Sequence, residues 1–366
     1  MEIKTITCHD VYNAGASLQA YALQTYLKSL GHNVEIIDYK PSYLSNHYSF
    51  SAVNPTFNKP IIKQLYLLAK FPGRFKAYHS KRKANFDAFK NDYLCLTKNQ
   101  YHSNEELKTA PPFADVYFAG SDQIWNPLFN NGKDPAFYLD FAPKDSIKAS
   151  YAASFAVDSF PNEYVEKTKK YLENFDYISV RESSGIKILN SLEFNDCINV
   201  CDPVFLLDRN YWEKLTYKIS KEDYLLIYDF DNSEKVKSIA EKVAKEKNLK
   251  IYSIFKLPYA DKCFYDEGPL GFLSLVKNAK FIVSNSFHAT AFSIILKKPF
   301  CVVNRQEEIN TRMKDLLIML GMENRLLSAD FQLNLDNLFE ISDYSNLLKN
   351  NIDDSKKYIS MVLNNE

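Results

Sequence analysis

The sequence contains few cysteines, and their spacing matches neither a disulfide framework nor a metal site. The six thiols belong to Cys8, Cys95, Cys197, Cys201, Cys263 and Cys301. None forms a CxxC pair, and the closest two have no His or Cys neighbour that could complete a metal site. This usage is typical of reduced thiols in a cytoplasmic protein, so we predict that no metal is bound.

Long apolar runs and an excess of one charge are also missing. The first ten residues, MEIKTITCHD, lack the apolar core of a signal peptide, and no stretch approaches the roughly 20 apolar residues that span a bilayer. Lys plus Arg equals Asp plus Glu, at 45 each. A neutral chain has no overall field that attracts nucleic acid, so we expect no such partner, and any bound anion must be held by local groups. We predict a soluble cytoplasmic protein that at most rests on the inner face of the membrane.

Four common catalytic signatures are absent as well. The sequence has no GxGxxG, no GxxxxGK[ST], no GxSxG and no HExxH. Nicotinamide-dependent enzymes, P-loop NTPases, serine hydrolases and zinc peptidases therefore have no support, and we expect no cofactor.

What the sequence does contain is a regular alternation of strands and helices, which occurs in two series. The first series starts with IKTITCH at residue 3, continues with the helix ASLQAYALQTYLKSL ended by Gly31, and returns in the strand NVEIIDY. Three further strands are predicted at 114–120, 147–153 and 176–182. The second series starts near residue 224 with YLLIYDF and ends with FCVVN. Alternation of this kind indicates parallel sheets joined by right-handed crossovers.

We therefore predict an α/β fold with two Rossmann-like domains that face each other across a cleft. We expect residues 1–205 to form the first domain and residues 206–340 the second, which carries the SNSFH loop. Residues 341–366 contain a closing helix that packs back on the first domain. In such folds ligands bind beyond the carboxyl ends of the strands.

Four polar clusters follow predicted strands at that edge. They are residues 9–15 (HDVYNAG), 120–127 (GSDQIWNP), 179–185 (SVRESSG) and 284–288 (SNSFH). Any one of them could be an ordinary cap or turn. Four at one edge favour a ligand site.

Two of these clusters suit an anion. A helix that starts near Phe287 directs its free N–H groups over Ser286, and a protonated His288 would add a charge-assisted hydrogen bond. The Arg181 guanidinium can bind a carboxylate or phosphate through two parallel hydrogen bonds. The alternatives are that His288 is a satisfied core histidine and that Arg181 forms a salt bridge with Glu182 or another acid.

Residues 61–90 differ from the rest of the chain in composition. They carry eight Lys or Arg against one acid, Asp87, with leucine and phenylalanine interleaved. The segment is either a solvated helix pair that covers the sheet or a basic, aromatic surface that meets a lipid diphosphate or the inner membrane leaflet.

Seven segments together resemble the polysaccharide pyruvyl transferase family. They are NAGASLQAYALQ (13–24), GSDQIWN (120–126), YAASFA (151–156), SVRESSG (179–185), CDPVFLL (201–207), SNSFHATAFS (284–293) and TRMKDLLIMLGMENR (311–325). They occur in the family's order and extend over nearly the whole chain.

The resemblance implies a GT-B-like fold and a defined reaction. The pyruvyl group of phosphoenolpyruvate, a co-substrate, would be transferred to two hydroxyls of a sugar as a cyclic ketal, without metal or nucleotide. The sugar acceptor belongs to a cell-surface polysaccharide and is often lipid-linked. The acid that protonates the methylene carbon, the base for the hydroxyls and the stabiliser of the departing phosphate must come from the protein.

The resemblance also implies roles for the two domains and for particular residues, with the acceptor on the first domain and the donor on the second. The donor-binding residues are Arg181, Ser284, Ser286, Phe287 and His288. His288 is the acid–base candidate, and the acceptor base or orienter is Asp122 or Glu182. The acceptor contacts are Asn13, Gly15, Ser121, Trp125 and Asn126.

The sequence departs from the family in one place. Some members carry arginine where this chain has Ser286, and others carry aspartate where it has Asn285. Neutral donors such as Ser284 and Ser286, or a cation from Arg305 or Arg312, would have to replace the missing charge. Two alternatives to a pyruvyl transferase stay open: a GT-B glycosyltransferase that uses a nucleotide sugar, and a non-catalytic scaffold of a polysaccharide cluster.

Overall fold

A parallel five-stranded sheet forms the core of the first half of the chain. A computed structural model describes residues 1–45, 48–53, 59–306, 310–327, 335–340 and 344–365. The strands of the first sheet are β1 (Glu2–Ile6), β2 (Asn33–Tyr39), β3 (Leu96–Tyr101), β4 (Val116–Ala119) and β5 (Ile147–Ser150). They lie in the order β3-β2-β1-β4-β5, all parallel. The short strands β6 (Ile178–Val180) and β7 (Cys197–Asn199) pair with each other beside β5.

A second parallel sheet repeats this arrangement in the other half. Its strands are β8 (Tyr224–Tyr228), β9 (Lys250–Ser253), β10 (Lys262–Cys263), β11 (Phe281–Ser284), β12 (Phe300–Val303) and β13 (Leu326–Leu327). They lie in the order β10-β9-β8-β11-β12-β13. In each sheet the order in which strands are added reverses beside the first strand. This reversal point lies between β1 and β4 in the first sheet and between β8 and β11 in the second. Ligands of such sheets bind outside this reversal point, which fixes where a site is to be sought.

Helices connect the strands. They are α1 (Ala14–Ser29), α2 (Pro60–Tyr78), α3 (Lys81–Tyr93), α4 (Asn104–Thr109), α5 (Val165–Leu172), α6 (Ser183–Ser191), α7 (Arg209–Lys214), α8 (Glu234–Lys247), α9 (Pro269–Asn278), α10 (Phe287–Ile295), α11 (Thr311–Met319), α12 (Leu335–Phe339) and α13 (Ser345–Asn364). Among the described residues no helix combines the length and apolarity needed to cross a membrane. The predicted α/β fold with two Rossmann-like domains is confirmed.

Local sequence explains where the helices that border the site begin and end. The Asn13 side chain caps α1 by accepting from the Ala16 N–H, and Ser286 caps α10 by accepting from the Ala289 N–H. Gly31 follows α1 with a φ of 89°, a conformation that favours glycine. Strand β1 is shorter than predicted, because it ends at Ile6 and leaves residues 7–13 as a polar loop.

The C-terminal helix α13 lies against the first half of the chain. The Tyr358 hydroxyl donates to the Ser150 carbonyl of β5 at 2.7 Å, and the Ser355 hydroxyl accepts from the Cys201 N–H at 2.8 Å. Residues 341–343 and 366 of the segment for which this helix was predicted lie outside the described residues.

Candidate active site

The reversal points of the two sheets face one cavity of about 160 Å³, here called the cleft cavity. Its lining comes from the loops after β1, β4, β8, β11 and β12 and from α10 and α11. The lining residues are Asn13, Asp122, Gln123, Phe230, Asn285, Ser286, Phe287, His288, Arg305, Arg312 and Met313. The cavity therefore lies beyond the strand ends, where ligands bind in sheets of this kind.

The first turn of α10 borders this cavity through Phe287 and His288. The Ser284 hydroxyl donates to the Tyr228 carbonyl at 3.0 Å and accepts from the Ser286 N–H at 2.9 Å, which fixes the turn between β11 and α10. The first N–H groups of a helix have no partner within the helix, and here they lie beside His288 together with the positive end of the helix dipole. Ser284 thus shapes the turn, while Ser286 lines the cavity.

Helix α1 approaches the same point from the opposite domain. A Cβ atom at Gly15 would lie 2.1 Å from His288 Nδ1, so the first turn of α1 packs directly on the imidazole. Asn13, which caps this helix, also lines the cavity. Two helix N-termini therefore converge on His288, an arrangement that favours an anion between them.

His288 contacts a buried network of charged side chains. His288 Nε2 lies 3.6 Å from Asp202 Oδ2, and Arg181 Nη1 donates to the same oxygen at 2.5 Å. Arg181 Nη2 donates to Asp122 Oδ1 at 3.2 Å, and Arg312 Nη1 lies 3.6 Å from that oxygen. The predicted salt bridge of Arg181 thus exists, although its partners are Asp122 and Asp202 rather than Glu182.

The charges of this network keep its carboxylates ionised. Burial would raise the pKa of Asp202, but the contact with His288 and the charge of Arg181 outweigh it and hold that pKa well below the usual range. Arg181, His288 and Arg312 likewise lower the pKa of Asp122 against the effect of burial. Burial, followed by repulsion from Arg181, lowers the pKa of Arg312 to about 10, so this guanidinium stays charged at neutral pH.

Arg305 enters the cleft cavity from the loop after β12. Its Nη2 lies 3.4 Å from Asp231 Oδ1, and its guanidinium lies over the Phe230 ring at 4.8 Å. Together with Arg312 it supplies two cations to the cavity that Ser286 lines. These are the two residues that the sequence suggested as replacements for the missing arginine.

The environment of Asn285 favours an amide over a carboxylate at this position. Its side-chain amide donates to Asp229 Oδ1 at 2.6 Å and to Asp231 Oδ2 at 3.3 Å. An aspartate here would place a third carboxylate beside two others. The amide therefore keeps Asp231 available to Arg305.

A neighbouring cavity of about 360 Å³ lies on the far side of Arg312 and Phe287, which border both cavities. Arg181 lines this second cavity and not the first, and its guanidinium lies 4.6 Å from the centre of the Phe287 ring. The predicted donor-binding set is thus divided, with Ser286, Phe287 and His288 at the cleft cavity and Arg181 behind Phe287.

Glu182, which was predicted with Asp122 as the acceptor base or orienter, does not line the cleft cavity. Its carboxylate is buried and accepts from the Ser154 hydroxyl at 2.9 Å and from the Ala156 N–H at 3.0 Å. Burial raises its pKa. Successive residues after a strand point to opposite sides, so Glu182 turns away from the face that Arg181 occupies.

Three predicted acceptor contacts also lie elsewhere. Trp125 has no exposed surface, donates from Nε1 to the Phe137 carbonyl and stacks on Tyr138. Asn126 is buried and donates to Gln123 Oε1, and Ser121 is buried with its carbonyl bound by Thr7. These residues shape the loop that carries Asp122 and Gln123, and they do not line the cleft cavity.

Several residues at or beside the cleft cavity were not predicted from the sequence. Asp202 lay within a segment that resembles the family, but its partners are 21 and 86 positions away in sequence (202 − 181 and 288 − 202). Gln123, Phe230 and Met313 line the cavity without any local signal beyond their place after a strand or in a helix. Within the described part of the chain, no group of three His, Cys, Asp or Glu is placed to hold a metal ion.

Two Rossmann-like domains with a site between their strand ends define the GT-B class of fold. Among solved structures, a Methanocaldococcus jannaschii UDP-GlcNAc 2-epimerase in complex with UDP-GlcNAc and UDP is 15% identical, with a TM-score of 0.50 and full coverage of both chains (100% each). A Listeria monocytogenes protein described as a UDP-N-acetylglucosamine 2-epimerase is 10% identical, with a TM-score of 0.50, over 99% of this chain and 91% of the other. At these identities the likeness shows the fold alone.

Sequence comparison identifies the family. The polysaccharide pyruvyl transferase family model matches residues 13–307, so the chain belongs to this family. No functionally curated protein matches the chain.

Proposed function

We propose that the protein transfers the pyruvyl group of phosphoenolpyruvate to two hydroxyls of a sugar in a cell-surface polysaccharide or its lipid-linked precursor. The observation that supports this proposal most is the composition of the cleft cavity. Two helix N-termini, His288 and two arginines, Arg305 and Arg312, surround a space of about 160 Å³. Such a set suits a small ligand with a phosphate and a carboxylate. Because phosphoenolpyruvate is a cytoplasmic metabolite, the proposal places the reaction in the cytoplasm.

The reaction requires a proton donor at one end and a phosphate acceptor site at the other. A proton added to C3 of phosphoenolpyruvate leaves an oxocarbenium-like centre at C2, to which the first hydroxyl oxygen bonds. The second hydroxyl oxygen then bonds to C2 as the C2–O bond to phosphate breaks. One hydroxyl proton ends on the new methyl group and the other leaves with inorganic phosphate, so the atoms balance.

Each role has a candidate in the cavity. His288 is the acid and base, with Asp202 beside Nε2 as the group that positions its ring. Arg305, Arg312 and the N–H groups of α10 bind the phosphate and stabilise its departure. Asp122, ionised beside Arg181 and Arg312, orients the acceptor hydroxyls from the first domain together with Asn13 and Gln123.

Turnover tests this proposal. The protein is incubated with phosphoenolpyruvate and nitrophenyl galactosides, nitrophenyl N-acetylmannosaminides or lipid-linked acceptors, and phosphate release and product mass are followed. We expect phosphate release together with a pyruvyl ketal on the sugar. Release of nucleotide from a sugar nucleotide would instead support a glycosyltransferase, and no turnover in either assay would support a scaffold.

Variants connect the activity to the site. His288→Ala should lower kcat/KM by about 100- to 10,000-fold, the range for a general acid–base group. Arg305→Ala should raise KM for phosphoenolpyruvate about tenfold or more, since it removes a charge-assisted contact. Arg209→Ala is the matched control, because Arg209 is a partly exposed arginine paired with Glu213 away from the cavity. Near-normal activity of the His288 variant would contradict the assignment.

A further inference from the structure

Helix α2 shows its apolar side to the surroundings. None of its 19 residues is buried. Ile61, Leu65 and Leu68 are 75%, 63% and 72% exposed, and Phe71 and Phe75 about half. Ile61, Leu65, Leu68 and Phe75 recur at helical spacing and form one stripe. A helix on a water-soluble surface normally turns such a stripe inward, so α2 has the reverse orientation.

The opposite side of α2 attaches the helix to the protein. Tyr66, Leu67, Arg74 and Ala77 are partly covered, in contrast to the outer stripe. Arg74 donates to the carbonyl oxygens of Phe50 and Ala52. The helix is therefore held by contacts on its partly covered side. Because that side faces the protein, the leucines on the other side are exposed.

Positive charge surrounds the apolar stripe. Helix α2 contains Lys63, Lys70, Arg74 and Lys76 and no acidic residue, and the three lysines are exposed. From residue 59 to residue 86 the chain has eight Lys or Arg and no Asp or Glu. An apolar stripe flanked by lysines matches the chemistry of an anionic bilayer surface, with acyl chains beneath and negative headgroups above.

The next helix connects this surface to the cleft cavity. In α3, Arg82 donates from Nη2 to the Tyr12 carbonyl at 2.6 Å and from Nη1 to the Tyr265 carbonyl at 2.8 Å. Tyr12 immediately precedes Asn13, which lines the cavity. Lys83 of α3 lies over the ring of Tyr78, the last residue of α2, at 4.5 Å. Helix α2 is thus attached to the side of the cleft at which α1 begins.

We propose that α2 docks the protein on an anionic lipid bilayer, with the helix lying in the headgroup region and its apolar stripe turned toward the acyl chains. Docking through α2 holds the side of the cleft that contains Asn13 near the bilayer. Lipid binding itself needs no turnover, whereas the delivery of a lipid-linked acceptor to the cleft rests on the proposed function.

Sedimentation of the full chain with vesicles tests the docking. We expect binding to vesicles of phosphatidylglycerol and phosphatidylcholine, weak binding to phosphatidylcholine alone, and weaker binding as salt increases. Leu65→Glu combined with Leu68→Glu should lower the partition coefficient at least about tenfold. Lys63→Ala combined with Lys70→Ala should lower it roughly thirtyfold on anionic vesicles and little on neutral ones. The matched control is Leu347→Glu, which changes an exposed leucine of α13.

Three results would overturn the docking proposal. These are no binding of the wild type to anionic vesicles, equal loss with Leu347→Glu, and self-association through α2 that disappears with the Leu65 and Leu68 substitutions while vesicles stay unbound. Turnover of a soluble nitrophenyl acceptor separates the two proposals. If that turnover persists without vesicle binding, only the docking fails; if vesicles bind without turnover, only the proposed reaction fails.

Discussion

His288 is positioned by contacts from three separate parts of the chain. Gly15 of the first domain packs on its ring, Asp202 of the segment 201–207 lies 3.6 Å from Nε2, and Ser286 caps the helix that carries it. The position of the imidazole ring therefore depends on contacts with the first domain as well as on α10. A small displacement of α1 should change its position.

The variant Gly15→Ala tests this dependence. The added methyl group would lie 2.1 Å from His288 Nδ1, so the ring or the helix must shift. Because a misplacement of about 1 Å can cost about 100-fold in rate, we expect a loss of that order in kcat, measured with phosphoenolpyruvate and a soluble acceptor. Gly73→Ala is the control, since nothing lies within 4 Å of the position that its Cβ would occupy. Equal activity of the two variants would show that the ring does not depend on α1.

Glu182 leads to a prediction about pH. Burial raises its pKa above the ordinary 4.5, so the folded state binds the proton more tightly than the unfolded state does. This contribution to stability is complete below pH 4.5 and is lost as the pH rises through the folded pKa. Glu182→Gln keeps an oxygen for Ser154 and Ala156 and resembles the protonated acid. It should raise Tm at neutral pH by about 1–3 °C, and the gain should vanish toward pH 4.

Thermal unfolding followed by circular dichroism across that pH range measures the effect. Glu163→Gln, at an exposed position, should leave Tm unchanged at every pH. The Glu182 variant should also keep its turnover, because the carboxylate lies outside the cleft cavity. A large loss of turnover with an unchanged Tm would restore Glu182 as a catalytic candidate.

Strands and helices follow from hydrophobic periodicity, whereas the direction of loop side chains does not. The strand NVEIIDY is β2 to the residue, and α10 begins at Phe287, near which its start was predicted. Asn13, Asp122 and His288 reach the cavity because strand ends meet at one edge. Trp125, which the resemblance gave as an acceptor contact, is instead fully buried, because the position of a loop does not determine which of its side chains point toward the cavity.

Long-range pairing explains the other misses. Asp202 contacts Arg181 and His288, and nothing in the local sequence indicates either partner. Similarly, the period of α2 indicates a helix, but the outward orientation of Leu65 and Leu68 depends on contacts of its other side with residues 50–52. Tertiary contacts of this kind decide a site, and a single sequence does not contain them.

The two domains share one apolar core. Leu18 and Tyr21 of α1 belong to the same buried cluster as Trp212, Leu226 and Phe292 of the second half. A shared core couples the domains, whereas domains that move independently meet through smaller and more polar interfaces. We infer that the cleft around His288 is held by hydrophobic contact and that the domains unfold together.

The chain's two tryptophans report on this coupling from different places. Trp212 lies between the domains, with its ring 5.0 Å from Phe292 and 6.1 Å from Tyr21, while Trp125 belongs to a separate cluster within the first domain. In the single-tryptophan variants Trp125→Phe and Trp212→Phe, the urea transitions followed by fluorescence should each superimpose on the circular dichroism transition of the same variant, because one cooperative unit gives coincident probes. If the fluorescence of Trp212 changed at lower urea than the circular dichroism of its variant, the domains would separate before they unfold. The close contact between Gly15 and His288 would then be a contact that opens on its own, and the site would be assembled only when the domains close.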